Sequence, residues 1–132
     1  MLEKISISTS KRIEFIDITA KIVELVKSNN VKDGVVTIYT PHTTSAITIN
    51  ENADPSVKYD INEFLSKIIP YRDKYTHLEG NSDAHIKSSI IGCSEQVIIE
   101  NGNLLLGTWQ GIFFCEFDGP RERKIFVKVI SS

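Results

Sequence analysis

The order of strand-like and helix-like segments limits most strongly what this chain can fold into. Apolar and polar residues alternate in two stretches between Glu3 and Ile18, which predicts two antiparallel strands, and strand-like stretches return between Gln96 and Ile130. Helical spacing is confined to the residues between these regions. The resulting order, ββαββααβββ or close to it, lacks the strict βαβ alternation of a parallel sheet. It predicts an α+β fold with mostly antiparallel pairing.

Capping and turn residues place the predicted helices. Asp54-Pro55 is a strong helix start, because Asp accepts hydrogen bonds from free amides and Pro suits the first helical position. Pro70 is expected to end this helix, and a shorter helix is expected from Ala84 to Ile91, closed by Gly92. With a helix capped by Asp17 or Thr19, the fold is expected to contain two to three helices.

Length and charge exclude several classes of protein. A chain of 132 residues fits a single domain over residues 1–132. Fifteen basic and seventeen acidic residues give a net charge of -2, and no segment concentrates Lys and Arg, so nucleic acid is not an expected partner. The amino terminus is too charged for a signal peptide and no apolar run suffices for a membrane span, which predicts a cytoplasmic protein that does not bind membranes.

The two cysteines, Cys93 and Cys115, do not have C-x-x-C spacing. They are expected to stay reduced, because two cysteines in a chain of this length do not make a disulfide scaffold. Each is interpreted as a small buried hydrophobic residue rather than a nucleophile.

All three histidines lie in or beside irregular segments. His42 follows a strand interrupted by a proline, His77 lies in the long polar loop from Tyr71 to Asp83, and His85 is in the first turn of the short helix. Three protein ligands with an open fourth position make a catalytic zinc site. The spacing matches no standard metal motif, so a shared site and three separate histidines both stay open.

Two polar segments near the histidines allow both a functional and a structural interpretation. Asn81 to Asp83 with Lys87 would suit an anion at a helix amino terminus, or would simply cap the helix and leave Lys87 in solvent. The carboxylates of Glu51 and Asp54 would serve as acid or base near His42, or form a turn and a helix cap.

Two features of the last third of the chain are also ambiguous. Trp109, with Gln110, lies between two glycines, which is typical of a close ligand approach or of a core Trp in a bent strand. Glu116 with Arg121 and Arg123 would form surface ion pairs or an anion contact, and the surface pairs are favoured.

Consecutive apolar residues predict an exposed patch on the last strands. Leu104 to Leu106 and Ile112 to Phe114 would make both faces of their strands apolar. One sheet alone would leave such a patch in solvent, and a partner subunit is its natural cover.

Four motifs in the same order resemble the YjbQ family of small conserved proteins, over a region from about Thr19 to the end. They are His42-Thr43-Thr44-Ser45-Ala46, Ile49 to Pro55, Gly80-Asn81 with Ala84 to Ser89 and Gly92, and Gly107 to Ile112 with Cys115-Glu116. The resemblance implies an α+β fold with a β-sandwich that packs around a threefold axis as a homotrimer. It also implies a secondary thiamine-phosphate synthase, which joins an aminopyrimidine diphosphate to a thiazole phosphate and releases pyrophosphate.

The resemblance also assigns roles to individual residues. It implies a site for a divalent metal, Zn or Mg, at His42, His77 and His85. Of these, His42 and His85 would be catalytic together with Glu51 and Asp54. The residues expected to bind a small phosphorylated substrate are Thr43, Thr44, Asn52, Asn81, Lys87, Trp109 and Gln110.

The length of the chain limits this functional expectation. Dedicated thiamine-phosphate synthases are TIM barrels, which need at least about 200 residues. A chain of 132 residues would have to perform the same condensation on an unrelated scaffold. The alternative is a non-catalytic trimer that binds a metal or a phosphorylated metabolite.

Overall fold

A computed structural model describes residues 2–132, which form eight strands and three helices. The strands are β1 (Leu2–Ser8), β2 (Glu14–Asp17), β3 (Gly34–Tyr39), β4 (Ser45–Glu51), β5 (Ser94–Glu100), β6 (Asn103–Leu104), β7 (Gln110–Glu116) and β8 (Glu122–Ser131). The helices are α1 (Thr19–Ser28), α2 (Pro55–Ile68) and α3 (Ser82–Ile91).

The strands form two antiparallel sheets. The larger sheet has the order β1-β8-β3-β5-β6, and the smaller has the order β2-β7-β4. Every pair of neighbouring strands is antiparallel. The predicted α+β class, the antiparallel pairing and the number of helices are confirmed.

The prediction that the first two strands pair with each other is wrong. Strand β1 pairs with β8 in the larger sheet, whereas β2 pairs with β7 in the smaller one. Thr9 extends the β1–β8 pairing, since its amide donates to Arg121 O at 3.0 Å and its hydroxyl accepts from Arg121 N at 2.9 Å. The chain then crosses to the second sheet, and this crossing separates the two strands.

The smaller sheet has apolar side chains on both faces. Ile112 and Phe114 of β7 lie in the main core, which contains residues of both sheets and α1. Phe113 and Cys115 point the opposite way, into a second core beneath α2 and α3. The predicted exposed patch is therefore wrong for Ile112 to Phe114, because the helices of the same chain cover the second face. Leu105 is the exposed member of the leucine run.

The predicted helix caps are largely confirmed, and an Asn-Gly turn joins β5 to β6. Asp54 Oδ1 accepts a hydrogen bond from Ser56 N at 2.9 Å where α2 begins, and Gly92 ends α3 at φ 105°. Asn101 and Gly102 have φ values of 52° and 78°, the left-handed conformation that a tight β5–β6 turn requires. At α1, Ile18 occupies the cap position, while Asp17 Oδ1 accepts from Thr19 N at 2.9 Å.

The two cysteines differ in environment. Cys115 is buried in the second core, and burial raises the pKa of its thiol to about 12. Cys93 is exposed, so the prediction that it is buried is wrong; it follows Gly92, outside the alternating pattern of β5. Within residues 2–132, no helix is long and apolar enough to cross a membrane.

Candidate functional site

A polar cleft of about 420 Å³ brings all three histidines together. It lies where the β3–β4 connection, the start of α3 and the β7–β8 turn meet. The residues that line it are Pro41, His42, Thr43, Thr44, His77, Glu79, Asn81, His85, Asp118, Arg121 and Arg123. Of the predicted site residues, six lie here.

Hydrogen bonds to buried groups fix the walls of this cleft. Thr44 O accepts a hydrogen bond from Phe117 N at 3.1 Å, which joins the β3–β4 connection to the end of β7. On the other side, Ser88 of α3 donates its hydroxyl to Ser45 O at 2.5 Å. The segment that carries His42 is therefore anchored to the end of β7, and the helix that carries His85 is anchored to the start of β4.

A buried ion pair lies behind the cleft. Glu116 is 0% exposed and Arg123 is 4% exposed. Arg123 Nε donates to Glu116 Oε1 at 2.8 Å, and Nη2 bonds the other carboxylate oxygen. The favoured prediction of a surface ion pair is therefore wrong, because Arg123 shares the inward face of β8 with the buried Ile125 and Val127.

The carboxylate of Glu116 also accepts two further hydrogen bonds. Thr9 Oγ1 donates to Oε1 at 2.8 Å, and Asp118 N donates to Oε2 at 3.0 Å. Burial alone would raise the pKa of Glu116, but the hydrogen bonds from Arg123, Asp118 and Thr9 hold it below its ordinary value. Glu116 is therefore ionised at neutral pH.

Arg123 reaches from this pair into the cleft. Its Nη2 also donates to Thr44 Oγ1 at 2.8 Å and to Thr44 O at 3.3 Å. Its Nη1 donates to no group within residues 2–132. Glu116 and Thr44 thus hold Nε and Nη2, and Nη1 is the guanidinium nitrogen that remains for a ligand.

His42 is half-buried beside this arginine. Its Nε2 accepts a hydrogen bond from Lys124 N at 3.1 Å. Burial and the positive charge of Arg123 lower the pKa of His42 below its ordinary value of 6.5. His42 is therefore neutral at pH 7.

His77 and His85 form the opposite side of the cleft. Their ring centroids are 5.2 Å apart in an edge-to-face arrangement, and His77 Nε2 lies 3.9 Å from Glu79 Oε1. Within residues 2–132, no three His, Cys, Asp or Glu side chains are arranged to hold a metal ion together. Since Lys124 N donates to His42 Nε2, the three histidines share a cleft without forming a set of metal ligands.

Asn81 supplies an unusual polar atom to the cleft. It occupies the cap position of α3 without making a side-chain cap bond. Its Nδ2 donates to Asp118 Oδ2 at 2.8 Å, and the same carboxylate oxygen accepts from Arg121 Nη2 at 3.0 Å. Asn81 Oδ1 is buried and has no partner within residues 2–132. A ligand with a hydroxyl or amino group would satisfy this acceptor.

Lys87 does not reach the cleft. It is 1% exposed, and its Nζ lies 3.5 Å from Asp83 Oδ2. Asp83 also accepts two hydrogen bonds from Arg12, at 2.9 and 3.1 Å. Burial lowers the pKa of Lys87. The structure thus gives Lys87 a place in an internal charge cluster, neither at a ligand nor in solvent.

The remaining predicted site residues lie at the opposite end of the smaller sheet. Strand β4 begins at the cleft, where Ser45 pairs with Glu116, and ends where Glu51 pairs with Gln110. This length of strand corresponds to roughly 20 Å. The residues at this far end are Glu51, Asn52, Asp54, Trp109 and Gln110. Within one chain, the predicted catalytic carboxylates are therefore not brought to the histidines.

Most polar side chains at this far end form hydrogen bonds that stabilise the surrounding turns and strand ends. Asn52 Nδ2 donates to Asp17 Oδ2 at 3.1 Å and its amide donates to Trp109 O at 3.0 Å. Gln110 Oε1 accepts from Gly107 N at 2.8 Å. Trp109 is 62% exposed, so it is not a core residue. Gly111 is required here because a Cβ would lie 2.4 Å from Asn52 Nδ2.

Asp118 was not among the predicted site residues. It lines the cleft and accepts hydrogen bonds from both Asn81 and Arg121. The alternation along β8 indicates the inward position of Arg123, because residues 123, 125 and 127 share a face.

Replacement of Glu116 by Gln tests the importance of the buried pair. Glu116→Gln keeps the shape of the side chain but leaves Arg123 buried without a counter-charge, so we expect a loss of about 3 kcal/mol in the free energy of unfolding at pH 7. Urea denaturation measures it, with the exposed Glu100→Gln as control, expected to change by less than about 0.5 kcal/mol. A loss below about 1 kcal/mol for Glu116→Gln would contradict the assignment.

The same variant has a predictable pH dependence. A carboxylate whose pKa is lower in the folded state stabilises the fold above its unfolded value, near 4.5, and this contribution disappears as the pH falls through the folded value. The difference in stability between wild type and Glu116→Gln should therefore shrink progressively below pH 4.5.

Comparisons with known proteins agree on one family. A family profile described as "UPF0047 protein YjbQ-like" matches residues 3–132. A UPF0047 protein of Methanocaldococcus jannaschii is 62% identical over 98% of this chain and 94% of its own length, and YugU of Bacillus subtilis is 50% identical over 98% and 99%.

Solved structures of the same kind match the fold. A YjbQ/UPF0047 protein of Clostridium acetobutylicum aligns with a TM-score of 0.96 and 55% identity, over 97% of this chain and 99% of that one. A YjbQ-like protein of unknown function from Sulfolobus solfataricus aligns with a TM-score of 0.96 and 30% identity, over 100% and 97%. The chain belongs to the YjbQ/UPF0047 family.

Proposed function

We propose that the cleft binds a small phosphorylated metabolite and that the protein acts on it as an enzyme. The observation that carries this proposal is the convergence of three histidines and two arginines on one polar cleft. Histidines donate and accept protons near neutral pH, and guanidinium groups bind phosphate oxygens with directed hydrogen bonds. The combination suits a phosphoryl group and a reaction that moves a proton or releases an anion.

The hydrogen-bonding groups of the cleft favour a ligand of mixed character. Arg123 offers its Nη1, since Glu116 and Thr44 bind only its Nε and Nη2. Asn81 Oδ1 offers a buried acceptor without a partner. A phosphorylated metabolite that also carries an amino or hydroxyl group would satisfy both.

Thiamine-phosphate synthesis is the named candidate reaction. It joins an aminopyrimidine diphosphate to a thiazole phosphate and releases pyrophosphate, whose departure requires donors for its oxygens. Arg121 and Arg123 are the cationic donors that line the cleft. The predicted divalent ion, Zn or Mg, would supply charge neutralisation when bound, and Mg²⁺ commonly reaches such sites together with substrate phosphates.

A binding protein without catalysis is the second candidate. The observation in its favour is the position of Glu51 and Asp54, which lie at the far end of the smaller sheet rather than beside His42 and His85. A single chain then holds a ligand site without its predicted catalytic carboxylates. This candidate predicts ligand affinity without turnover.

Replacement of His85 distinguishes the two candidates. Product formation from the aminopyrimidine diphosphate and the thiazole phosphate is measured with Mg²⁺, with Zn²⁺ and after chelation. If His85 serves the reaction, His85→Ala should lower turnover by at least ~100-fold at unchanged thermal stability. Lys67→Ala, at an exposed position in the last turn of α2, is the control and should retain full activity. Equal rates in wild type and His85→Ala would show that the activity does not arise in this cleft.

We also propose that the protein is a homotrimer, with the two sheets of each chain packed as a sandwich. Two observations support assembly: Trp109 is 62% exposed, and the outer face of the larger sheet carries exposed apolar residues. On that face Tyr39 stacks on Phe126 with ring centroids 6.4 Å apart, and Ile98 and Ile130 are half exposed. Contacts around a threefold axis would bring the far end of one chain towards another chain.

Light scattering coupled to size-exclusion chromatography tests the assembly. A trimer has three times the chain mass of 14.9 kDa and keeps that mass on dilution into the micromolar range. A mass equal to one chain at micromolar concentration would refute the trimer. That result would leave the ligand site of the cleft unaffected, because every residue that lines it comes from one chain.

A further inference from the structure

We propose that Arg123 and His42 together anchor one phosphoryl group, with His42 neutral and its proton on Nδ1. This inference rests on the proposed function and deepens it, because it names the two side chains that hold the anion. It also gives His42 the role of a hydrogen-bond donor in place of a metal ligand.

Arg123 has the properties of a fixed anion anchor. The side chain is nine-tenths buried, and three hydrogen-bond partners hold its Nε and Nη2: the Glu116 carboxylate, Thr44 Oγ1 and Thr44 O. Little conformational entropy is then lost when a ligand binds. Arg123 lines the cleft, and its Nη1 makes no hydrogen bond within residues 2–132, so this nitrogen is the one that remains for a ligand.

The proton of His42 is placed by a backbone contact. Lys124 N donates to His42 Nε2 at 3.1 Å, so the lone pair of Nε2 faces a donor. In a neutral imidazole one nitrogen accepts and the other donates, which puts the proton on Nδ1. Protonation of Nε2 would set two N–H groups against each other. His42 therefore offers a single polar group, Nδ1–H, to other partners.

The two side chains are coupled through neighbouring residues. Arg123 and Lys124 are adjacent in β8, so the residue that orients His42 is the next one after the arginine. Burial and the charge of Arg123 lower the pKa of His42, so the imidazole is neutral at pH 7. A neutral donor beside a guanidinium suits a phosphoryl group, whose oxygens accept from both.

The same geometry argues against His42 as a ligand of a metal ion. A metal ligand needs a free imidazole lone pair. The lone pair of Nε2 is used by Lys124, and Nδ1 carries the proton. Coordination through either nitrogen would require the loss of the Lys124 contact or of the Nδ1 proton.

The first test measures the tautomer in the unmodified protein without ligand. Long-range ¹H–¹⁵N correlation spectra of ¹⁵N-labelled protein distinguish the Nδ1–H and Nε2–H tautomers, and the signals of His42 are assigned from their loss in His42→Ala. The Nδ1–H form is expected at pH 7. An Nε2–H tautomer or a protonated ring would overturn the inference, whatever the protein does with metabolites.

The second test measures the affinity for inorganic phosphate and pyrophosphate by calorimetry. His42→Ala and Arg123→Lys should each weaken binding by about tenfold or more, since each removes a donor to a charged group. His42→Asn, which keeps an N–H near the position of Nδ1, should recover part of the loss. The exposed Arg72→Lys is the matched control and should bind as wild type does.

The outcomes separate the anchor from the proposed function. Wild-type affinity in both His42→Ala and Arg123→Lys, or no phosphate binding by the wild type, would overturn the anchor. The proposed function would fall on a separate measurement, if the wild type bound neither the aminopyrimidine diphosphate nor the thiazole phosphate. Should Arg123→Lys fail to fold, His42→Ala and the tautomer still decide the result.

Discussion

The ion pair between Glu116 and Arg123 joins the two sheets of this protein at the place where its polar cleft opens. Glu116 ends β7 in the smaller sheet, and Arg123 belongs to β8 in the larger one. Removing two charges from water costs several kcal/mol for each ion, and only close contact with further hydrogen bonds offsets this cost. Thr9, Thr44 and the Asp118 amide supply those bonds. The pair therefore requires the surrounding chain segments to meet in one arrangement.

The geometry of the cleft follows from this junction. The turn that connects β7 and β8 passes so close to Lys11 that a Cβ at Gly119 would lie 2.3 Å from Lys11 O. This turn brings Asp118 and Arg121 to the cleft, while Arg123 is held through its Nε and Nη2, and its Nη1 remains for a ligand. Burial and the charge of this arginine lower the pKa of His42. A contact that stabilises the fold thus also holds a cationic group at the proposed ligand site.

Local sequence signals predicted the helices, strands and turns of this fold better than they predicted which strands pair. Asp54, Gly92 and the Asn101-Gly102 turn act at positions that the sequence identifies, because caps and turns depend on a few neighbouring residues. Alternation shows that β1 and β2 are strands, but does not show which sheet each joins, since the pairing is decided by contacts more than 90 residues away. Residues 42 to 54 are close in sequence and were therefore predicted to form one site. In the structure, the length of β4 separates the two ends of this segment.

The central claim is that Glu116 holds Arg123 in position to bind an anion. The affinity of Glu116→Gln for inorganic phosphate tests this claim most directly, because simple electrostatics and the positioning role predict opposite changes in that affinity. Glu116 is fully buried and carries a negative charge, so simple electrostatics predicts that its removal strengthens the binding of an anion. If Glu116 instead holds Arg123 in its binding position, the folded variant should bind phosphate about tenfold more weakly than wild type. Calorimetry on samples whose folded state is verified by NMR measures the difference. Unchanged or tighter binding would contradict the account.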